Sequence, residues 1–190
     1  MPTSRHAVGA ALLILGGLTI GLTPAPASAH NEVCGDGLPY RWSGTSMSQN
    51  IGGVDTVYRN AITAAQSNFN LSDFKYSSST TSGTIWWSNL NSQDTSTAGA
   101  TRLTVDCGTH RITAANMYFN YPHFAASAHD DWARQCTAIH ELGHGVGLAH
   151  NSLLSTSGTS IMYGVHADRC HSYSIVALQP HDTSDINAKY

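Results

Sequence analysis

The stretch CTAIHELGHGVGLAH, residues 136–150, constrains the fold of this chain more than any other part of its sequence. His140 and His144 are four residues apart, so on a helix both imidazoles project from one face and can reach a single ion. Glu141 takes the next position round that helix, close enough to contact a water on the ion without being a ligand. On a continuous helix His150 would lie about 15 Å from His140, so the chain has to turn back to bring the three histidines together.

Three glycines in the same stretch indicate how the chain turns back. Gly147 is the expected helix reversal, because glycine takes left-handed backbone angles at little cost and commonly ends helices. Gly143 and Gly145 each weaken a helix interior by about 1 kcal/mol relative to alanine, which indicates close packing or an early helix end. We therefore predict two ligands on a helix, a glycine reversal and a third ligand returned to the same ion.

The donor set indicates a catalytic metal ion. Three neutral imidazoles suit Zn²⁺, leave its charge uncompensated and keep one coordination position open for water. Zinc lowers the pKa of such a water, and Glu141 is in place to take the proton as a general base. The pattern predicts one catalytic zinc, with His140, His144 and His150 as ligands and Glu141 as the catalytic residue that supports attack on a peptide carbonyl.

The first 29 residues have the pattern of a targeting segment. A basic start with Arg5, an apolar run and a small-x-small ending at Ala29 predict a secretory signal peptide, residues 1–29. The alternative is a membrane anchor, but the apolar run is shorter than the roughly 18 residues that a spanning helix needs. We therefore expect a secreted, extracellular protein.

Residues 30–190 are enough for one domain with a real core and too few for two. The whole chain has a net charge of −3, and Arg5 is the one charged residue among the first 29, so the mature chain carries −4. This balance gives no reason to expect nucleic acid or an anionic membrane as a partner. We expect a monomer.

Hydrophobic periodicity predicts helices at both ends of a group of strands. Apolar residues spaced by three and four predict a first amphipathic helix with one buried stripe. The stripe consists of Val54, Val57, Tyr58, Ala61, Ile62, Ala65 and Phe69. Runs rich in aromatic and β-branched residues predict three or four strands, and a further short candidate precedes the helix. The runs are 74–80, 84–90, 101–107 and 110–120, and the short candidate is 40–44, ahead of a flexible stretch at 48–53. A second long helix should begin after His129 or Asp130 and extend through His144.

These residues carry a family resemblance. The run HELGHGVGLAH at 140–150 matches the extended zinc signature of the metzincin metallopeptidases, and SIMYG at 160–164 resembles their Met-turn, with Met162 under the metal. A tyrosine directly after Met162 is most similar to the matrixin pattern. Where astacins and serralysins have a tyrosine that can ligate zinc, this chain has Gly164, so no tyrosine ligand is expected.

The resemblance implies an α+β fold for residues 30–190, as a metzincin-type catalytic domain. It would contain a mixed twisted sheet with one antiparallel edge strand, two long helices plus a C-terminal helix, and a zinc cleft with a Met-turn. The substrate would lie extended along the edge strand, for which 110–120 is the candidate; the alternative is that these residues form an inner strand. Residues 178–190 resemble the last helix of matrixins, with Asp182 and Asp185 as partners for the Met-turn or the chain start.

The other histidines are not expected to bind metal. Matrixins usually carry a long loop before the zinc helix that binds a second zinc and calcium. The segment 121–132 is short and lacks the acidic and glycine pattern of that loop, so His123 and His129 are interpreted as exposed loop histidines. The sequence does not decide whether calcium binds. Four more histidines have no ligand-like spacing with a partner: His110, His166, His171 and His181.

All four cysteines follow the expected signal peptide: Cys34, Cys107, Cys136 and Cys170. An even count in an exported protein favours two disulfides, and four cysteines allow three pairings. The preferred pairs are Cys34 with Cys107 and Cys136 with Cys170, of which the second would fasten the loop after the Met-turn to the zinc helix. Matrixin propeptides silence the zinc with a cysteine in a similar Cys-Gly context, so a latency switch at Cys34 is the alternative.

Together these features predict a secreted zinc-dependent endopeptidase that binds a peptide or protein substrate in extended form. The alternative is a non-catalytic, zinc-stabilised homologue that keeps the fold to recognise peptides. Glu141 argues against that alternative, because a purely structural zinc site does not need it.

Overall fold

The computed structural model describes Cys34 and residues 38–126, 131–151, 159–165 and 167–190. These residues form an α+β fold in which one five-stranded sheet packs against helices. The strands are β1 Ser46–Asn50, β2 Lys75–Ser79, β3 Ile85–Leu90, β4 Gly99–Asp106 and β5 Arg111–Asn120. The α-helices are α1 Thr56–Phe69, α2 Tyr121–Ala126, α3 Asp131–Gly145 and α4 Pro180–Lys189, and a π-helical segment spans Ala167–Ser172.

The sheet is mostly parallel, with the order β2-β1-β3-β5-β4. Only β4 runs antiparallel to its neighbour, and it lies at the edge. The candidate edge strand, residues 110–120, was therefore wrong: these residues form β5, which pairs with β3 on one side and with β4 on the other. The reason lies in their burial, because Ile112, Ala115 and Met117 all point into the core. By contrast, β4 exposes Arg102 and Thr104, as charged and polar side chains on an edge strand commonly do.

Strand β1 was missed because its sequence, SMSQN, is polar. Gln49 in this strand is fully buried, but its amide is hydrogen-bonded. Gln49 Nε2 donates to Gln66 Oε1 at 2.8 Å and to Ser78 Oγ at 3.0 Å. Gln49 Oε1 accepts a hydrogen bond from Trp87 Nε1 at 2.7 Å. The candidate strand at 40–44 was wrong, since only an isolated bridge from Arg41 forms there, although its aromatic residues are buried.

Helix α1 packs against α3 and β2, and α3 also packs against β4 and β5. The buried stripe of α1 is confirmed for Tyr58, Ala61, Ile62, Ala65 and Phe69. Val57 is 46% exposed, because it lies about 100° from Tyr58 round the helix and so outside the stripe. Val54 is buried but precedes the helix.

The segment expected to be a loop before α3 contains a short helix, α2. His123 lies on this helix and is only 8% exposed, so its interpretation as an exposed loop histidine was wrong. The cause is aromatic packing: Tyr121 stacks on Tyr58 with ring centroids 4.4 Å apart, and Phe124 meets the same ring at 5.7 Å. These contacts hold α2 against the core.

Both disulfides of the preferred pairing are present, Cys34–Cys107 and Cys136–Cys170. No cysteine is free, so the alternative of a latency switch at Cys34 is wrong. The first bond ties the chain before β1 to the end of β4, and the second ties α3 to the π-helical segment. Cross-linking residues 34 positions apart removes about 4 kcal/mol of unfolded-state entropy.

Some expectations fall outside the described residues. These are the signal peptide at 1–29, the start of the second long helix at His129 or Asp130, and the position of His166. Within the described ranges, every helix is too short or too polar to cross a bilayer.

We expect the Phe69→Ala variant to lose about 3–5 kcal/mol of unfolding free energy, because Phe69 is fully buried between α1 and the sheet and its removal leaves a cavity. Leu71→Ala is the matched control: Leu71 lies two residues later and is 78% exposed, so its loss should stay within about 0.5 kcal/mol. Denaturant unfolding followed by tryptophan fluorescence measures both. Equal losses in the two variants would contradict the described packing.

Candidate metal centre

Three imidazoles converge on one point at the end of α3. The Nε2 atoms of His140, His144 and His150 lie 3.1 Å from one another in all three pairs. Among the described residues this is the one group of histidine, cysteine and acidic side chains that could hold a metal ion. The histidines predicted as ligands are therefore brought together by the fold.

Hydrogen bonds to backbone carbonyls orient two of these rings. His140 Nδ1 lies 2.6 Å from Ile161 O, and His144 Nδ1 lies 2.7 Å from Leu148 O. A carbonyl oxygen only accepts, so in both rings Nδ1 carries the proton and Nε2 keeps its lone pair. This is the arrangement in which a second partner fixes the tautomer of a metal-binding histidine.

The surroundings keep the imidazoles neutral. Burial lowers the pKa of His140 well below its usual range and that of His144 to about 4, and the positive charge of Arg169 acts in the same direction. The pKa of His150, which is more exposed, is also lowered by burial and by Arg169. At neutral pH all three rings can therefore act as ligands.

The spacing of the nitrogens fits zinc. The Nε2 atoms of His140 and His144 both present lone pairs and cannot hydrogen-bond with each other, so their approach to 3.1 Å favours a cation beside them. Tetrahedral zinc with Zn–N bonds of about 2.0–2.1 Å separates its ligand nitrogens by about 3.3 Å. The three rings would have to move apart by only about 0.2 Å.

The chain reverses at Gly147, as predicted. Gly147 is the one described glycine with a positive φ, 81°. Its N–H donates to His144 O at 2.8 Å, and Leu148 N–H donates to Gly143 O at 3.0 Å. This pair of bonds is the Schellman motif that ends helices with a left-handed residue. The reversal brings His150 back to the two histidines of α3.

Distant side chains donate to four carbonyls at this helix end, where intrahelical donors run out. Their donors belong to the chain before β1, to β2 and to the C-terminus. The bonds are Tyr76 Oη to Leu142 O (2.9 Å), Trp42 Nε1 to Gly145 O (2.8 Å), Tyr190 Oη to Val146 O (3.1 Å) and Lys189 Nζ to Gly147 O (2.6 Å). The reversal is thus held by side chains from both ends of the described chain.

The other two glycines of the motif are explained by close packing. A Cβ at Gly143 would lie 2.4 Å from Met162 Sδ, and a Cβ at Gly145 would lie 2.1 Å from Met117 Cε. Met162 is 1% exposed and packs against α3 on the turn of the histidine ligands. Of the two explanations left open for these glycines, close packing applies to both, and α3 also ends at Gly145.

The segment 159–165 is fastened by α4. Asp182 is buried and accepts hydrogen bonds from Ser160 Oγ at 2.5 Å and from Ile161 N–H at 3.0 Å. The expected role of Asp182 as a partner of this turn is confirmed. Among the described residues, Asp185 forms no such bond. Its carboxyl interacts electrostatically with His181, Asp182 and Lys189.

Glu141 faces the same cavity and is held by β4. Thr101 Oγ1 donates to Glu141 Oε2 at 2.7 Å. A Cβ on Gly99 would lie 2.8 Å from Glu141 Oε1, so the glycine leaves space beside that oxygen. Burial raises the pKa of Glu141 to about 7, against the opposing effects of the Thr101 hydrogen bond and the Arg169 charge.

A cavity of about 670 Å³ opens between the edge strand and the histidines. Its walls come from residues 96–101 on one side and from the histidines, Glu141, Gly164 and Arg169 on the other. Arg169 is 2% exposed, and burial lowers its pKa to about 10, so it stays charged at neutral pH. Gly164 lies beside the His150 ring, since a Cβ built on it would be 3.4 Å from His150 Nδ1.

Sequence reasoning missed Gly99, Thr101 and Arg169, because each reaches the cavity from a distant element and none has a characteristic spacing to the histidines. Arg169 follows Gly164 by five residues, and this spacing matches no sequence motif that would predict a buried arginine beside the histidines. Of the remaining described histidines, His110, His123, His171 and His181 lie outside this candidate group.

We expect the purified protein to bind one equivalent of Zn²⁺ and to be stabilised by it, by about 2.7 kcal/mol when free zinc is 100 times the dissociation constant. His150→Ala should abolish that stabilisation, whereas His171→Ala, which removes an exposed histidine outside the group, should keep it. Metal analysis and thermal unfolding with and without zinc measure both. Full stabilisation of the His150→Ala variant would show that the ion binds elsewhere.

Gly147→Ala should destabilise the protein by about 1–3 kcal/mol and weaken zinc binding, because alanine is strained at φ 81° and its Cβ would lie 2.8 Å from Tyr40 O. Gly44→Ala, with nothing within 4 Å of the added Cβ, should stay within about 0.5 kcal/mol of the parent. Denaturant unfolding and zinc titration give the two readouts. Unchanged zinc affinity in a destabilised Gly147→Ala variant would show that zinc binding does not depend on the backbone reversal at this residue.

The chain matches no family model, and a comparison with curated proteins finds none that is significantly similar.

Proposed function

We propose that this chain is a secreted zinc endopeptidase. The observation that carries the proposal is the convergence of three imidazole Nε2 atoms at 3.1 Å, with a buried glutamate on the same helix and an open cavity beside them. Three neutral protein ligands leave a coordination position free, as catalytic zinc sites do and closed structural sites do not. A bound zinc ion would supply Lewis acidity for a water molecule and for the scissile carbonyl.

Glu141 is proposed as the general base. Thr101 engages Oε2, so Oε1 beside Gly99, which accepts no hydrogen bond from the described residues, is the oxygen available to a water in the cavity. Oε1 would take the proton of that water and later pass it to the leaving amine. Burial, which raises the pKa of Glu141 to about 7, makes the carboxylate a stronger base than an exposed one. Thr101 is a positioning residue, because it acts through the carboxylate.

The substrate is proposed to bind along β4. This strand is the antiparallel edge of the sheet, and its first residues, 99–101, line the cavity. An extended peptide can add to a free strand edge through backbone hydrogen bonds, with alternate side chains directed into pockets. Such binding would pass the peptide bond in front of the histidines and Glu141.

The resemblance to metzincins supports the proposal at two points beyond the histidines. Met162 lies in a turn that is fastened to α4 and packs against Gly143 of α3, where a Met-turn would lie. The tight reversal at Gly147 is the second point. Two disulfides suit the oxidising compartment that a secreted protein would enter.

We expect the zinc-loaded mature chain to cleave members of a diverse internally quenched peptide pool, and a zinc chelator to abolish that cleavage. Glu141→Gln should lower kcat/KM by about 10²–10⁴-fold while one zinc stays bound, because only the proton acceptor is lost. Asp131→Asn is the matched control on the same helix: its side chain is 91% exposed, so activity should persist. Peptide cleavage followed by fluorescence and metal analysis provide the readouts.

Two results would contradict the proposal. Activity retained in zinc-loaded Glu141→Gln would remove the general base assigned to it. A folded, zinc-loaded parent protein that binds peptides from the pool without cutting any would favour the non-catalytic peptide-binding homologue.

A further inference from the structure

One buried cation, Arg169, lines the cavity. It is 2% exposed, and among the side chains that the structure describes no carboxylate forms an ion pair with it. Its Nε has no hydrogen-bond partner, and among the described residues only Nη1 finds an acceptor, the carbonyl of Tyr163. Glu141 attracts the guanidinium through space but directs Oε2 to Thr101 instead.

The position of Arg169 is built into the fold. Its backbone N–H donates to Val165 O at 3.0 Å, and its carbonyl accepts from Ile175 N–H at 3.2 Å. The next residue, Cys170, is bonded to Cys136, one helical turn before the first histidine ligand. The guanidinium is therefore held against the cavity wall by the main chain, by a disulfide and by one carbonyl.

A buried, incompletely hydrogen-bonded charge is costly unless an anion pairs with it. Structural arginines commonly meet this need with a carboxylate of their own chain, which Arg169 lacks among the described residues. The guanidinium presents its donors in a planar fork that matches a carboxylate. The cavity that it lines is large enough for a substrate side chain or chain end.

We propose that Arg169 is a specificity residue that binds a carboxylate of the substrate, so that the cleaved peptides carry an acidic side chain or a free C-terminus close to the cut. The two sources share one chemistry. This inference rests on the proposed peptidase function and names its substrate class.

The test uses peptides in matched pairs around one cut site. In the first set, Glu and Gln alternate at each of the three positions on either side of the cut; in the second, a peptide ending soon after the cut carries either a free acid or an amide. We expect the parent enzyme to prefer the carboxylate member of at least one pair by about 10- to 100-fold in kcat/KM, as a charged hydrogen bond supplies. The pair that shows the preference identifies the source.

Three variants separate Arg169 from other effects. Arg169→Gln should bring the ratio within that pair close to 1, whatever happens to the overall rate, because both members meet the same altered site. Arg169→Lys keeps the charge without the fork and should retain a reduced preference. Lys75→Gln removes an exposed positive charge on β2, at the opposite edge of the sheet from β4, and should keep the full preference. Circular dichroism and zinc content establish that each variant is folded.

The outcomes distinguish this inference from the proposed function. Cleavage with no preference in any pair, or a preference that survives Arg169→Gln or disappears in Lys75→Gln, overturns the role of Arg169 and leaves the peptidase intact. If the parent cleaves nothing, the binding of the same peptide pairs to zinc-loaded protein is measured by calorimetry. Tighter binding of the carboxylate member that is lost in Arg169→Gln supports the carboxylate site without the peptidase. Equal binding of the two members overturns both the carboxylate site and the peptidase. Should Arg169→Gln fail to fold, the Arg169→Lys variant gives the deciding ratio, and an unreduced preference overturns the role.

Discussion

The reversal at Gly147 is the constraint on which the metal centre depends. Two histidines on one helix face define a direction, but a third ligand reaches the same ion only if the chain turns within six residues. The turn leaves helix carbonyls without intrahelical donors, and a buried carbonyl without a donor is costly. Trp42, Tyr76 and Lys189 supply the donors from the start, the sheet and the end of the described chain. A local motif therefore works only inside the complete fold.

The charges around the cavity complement one another. Arg169 and burial both disfavour protonation of the histidines, which keeps their lone pairs available to a metal ion. The negative charge of Glu141 attracts the Arg169 guanidinium, but the Glu141 carboxylate is hydrogen-bonded to Thr101 and forms no direct ion pair with the arginine. A divalent cation with three neutral ligands would add positive charge to this region. An anionic group of a ligand would then be attracted to the same cavity, as the proposed role of Arg169 requires.

The sheet edge and the metal centre are coupled through β4. Thr101 of this strand holds the Glu141 carboxylate, and residues 99–101 form the cavity wall. A substrate paired with this edge would therefore lie next to the residue proposed as general base. The disulfide between Cys136 and Cys170 constrains the opposite wall, since it joins α3 to the segment that carries Arg169. Both walls are thus tied to the helix of the histidines.

The sequence by itself determined the three histidines that converge, the glycine reversal, the buried stripe of α1 and four of the strands, because these depend on spacing within one segment. Tertiary structure alone decided which strand lies at the edge. The sequences of β4 and β5 have similar patterns, and only pairing on both sides identifies β5 as the inner strand. It also decided that Gln49 of the polar strand β1 is buried, since hydrogen bonds to Gln66 and Ser78 and from Trp87 are needed to satisfy its amide. Thr101 and Arg169 reach the site across contacts between distant elements, and no local pattern records such contacts.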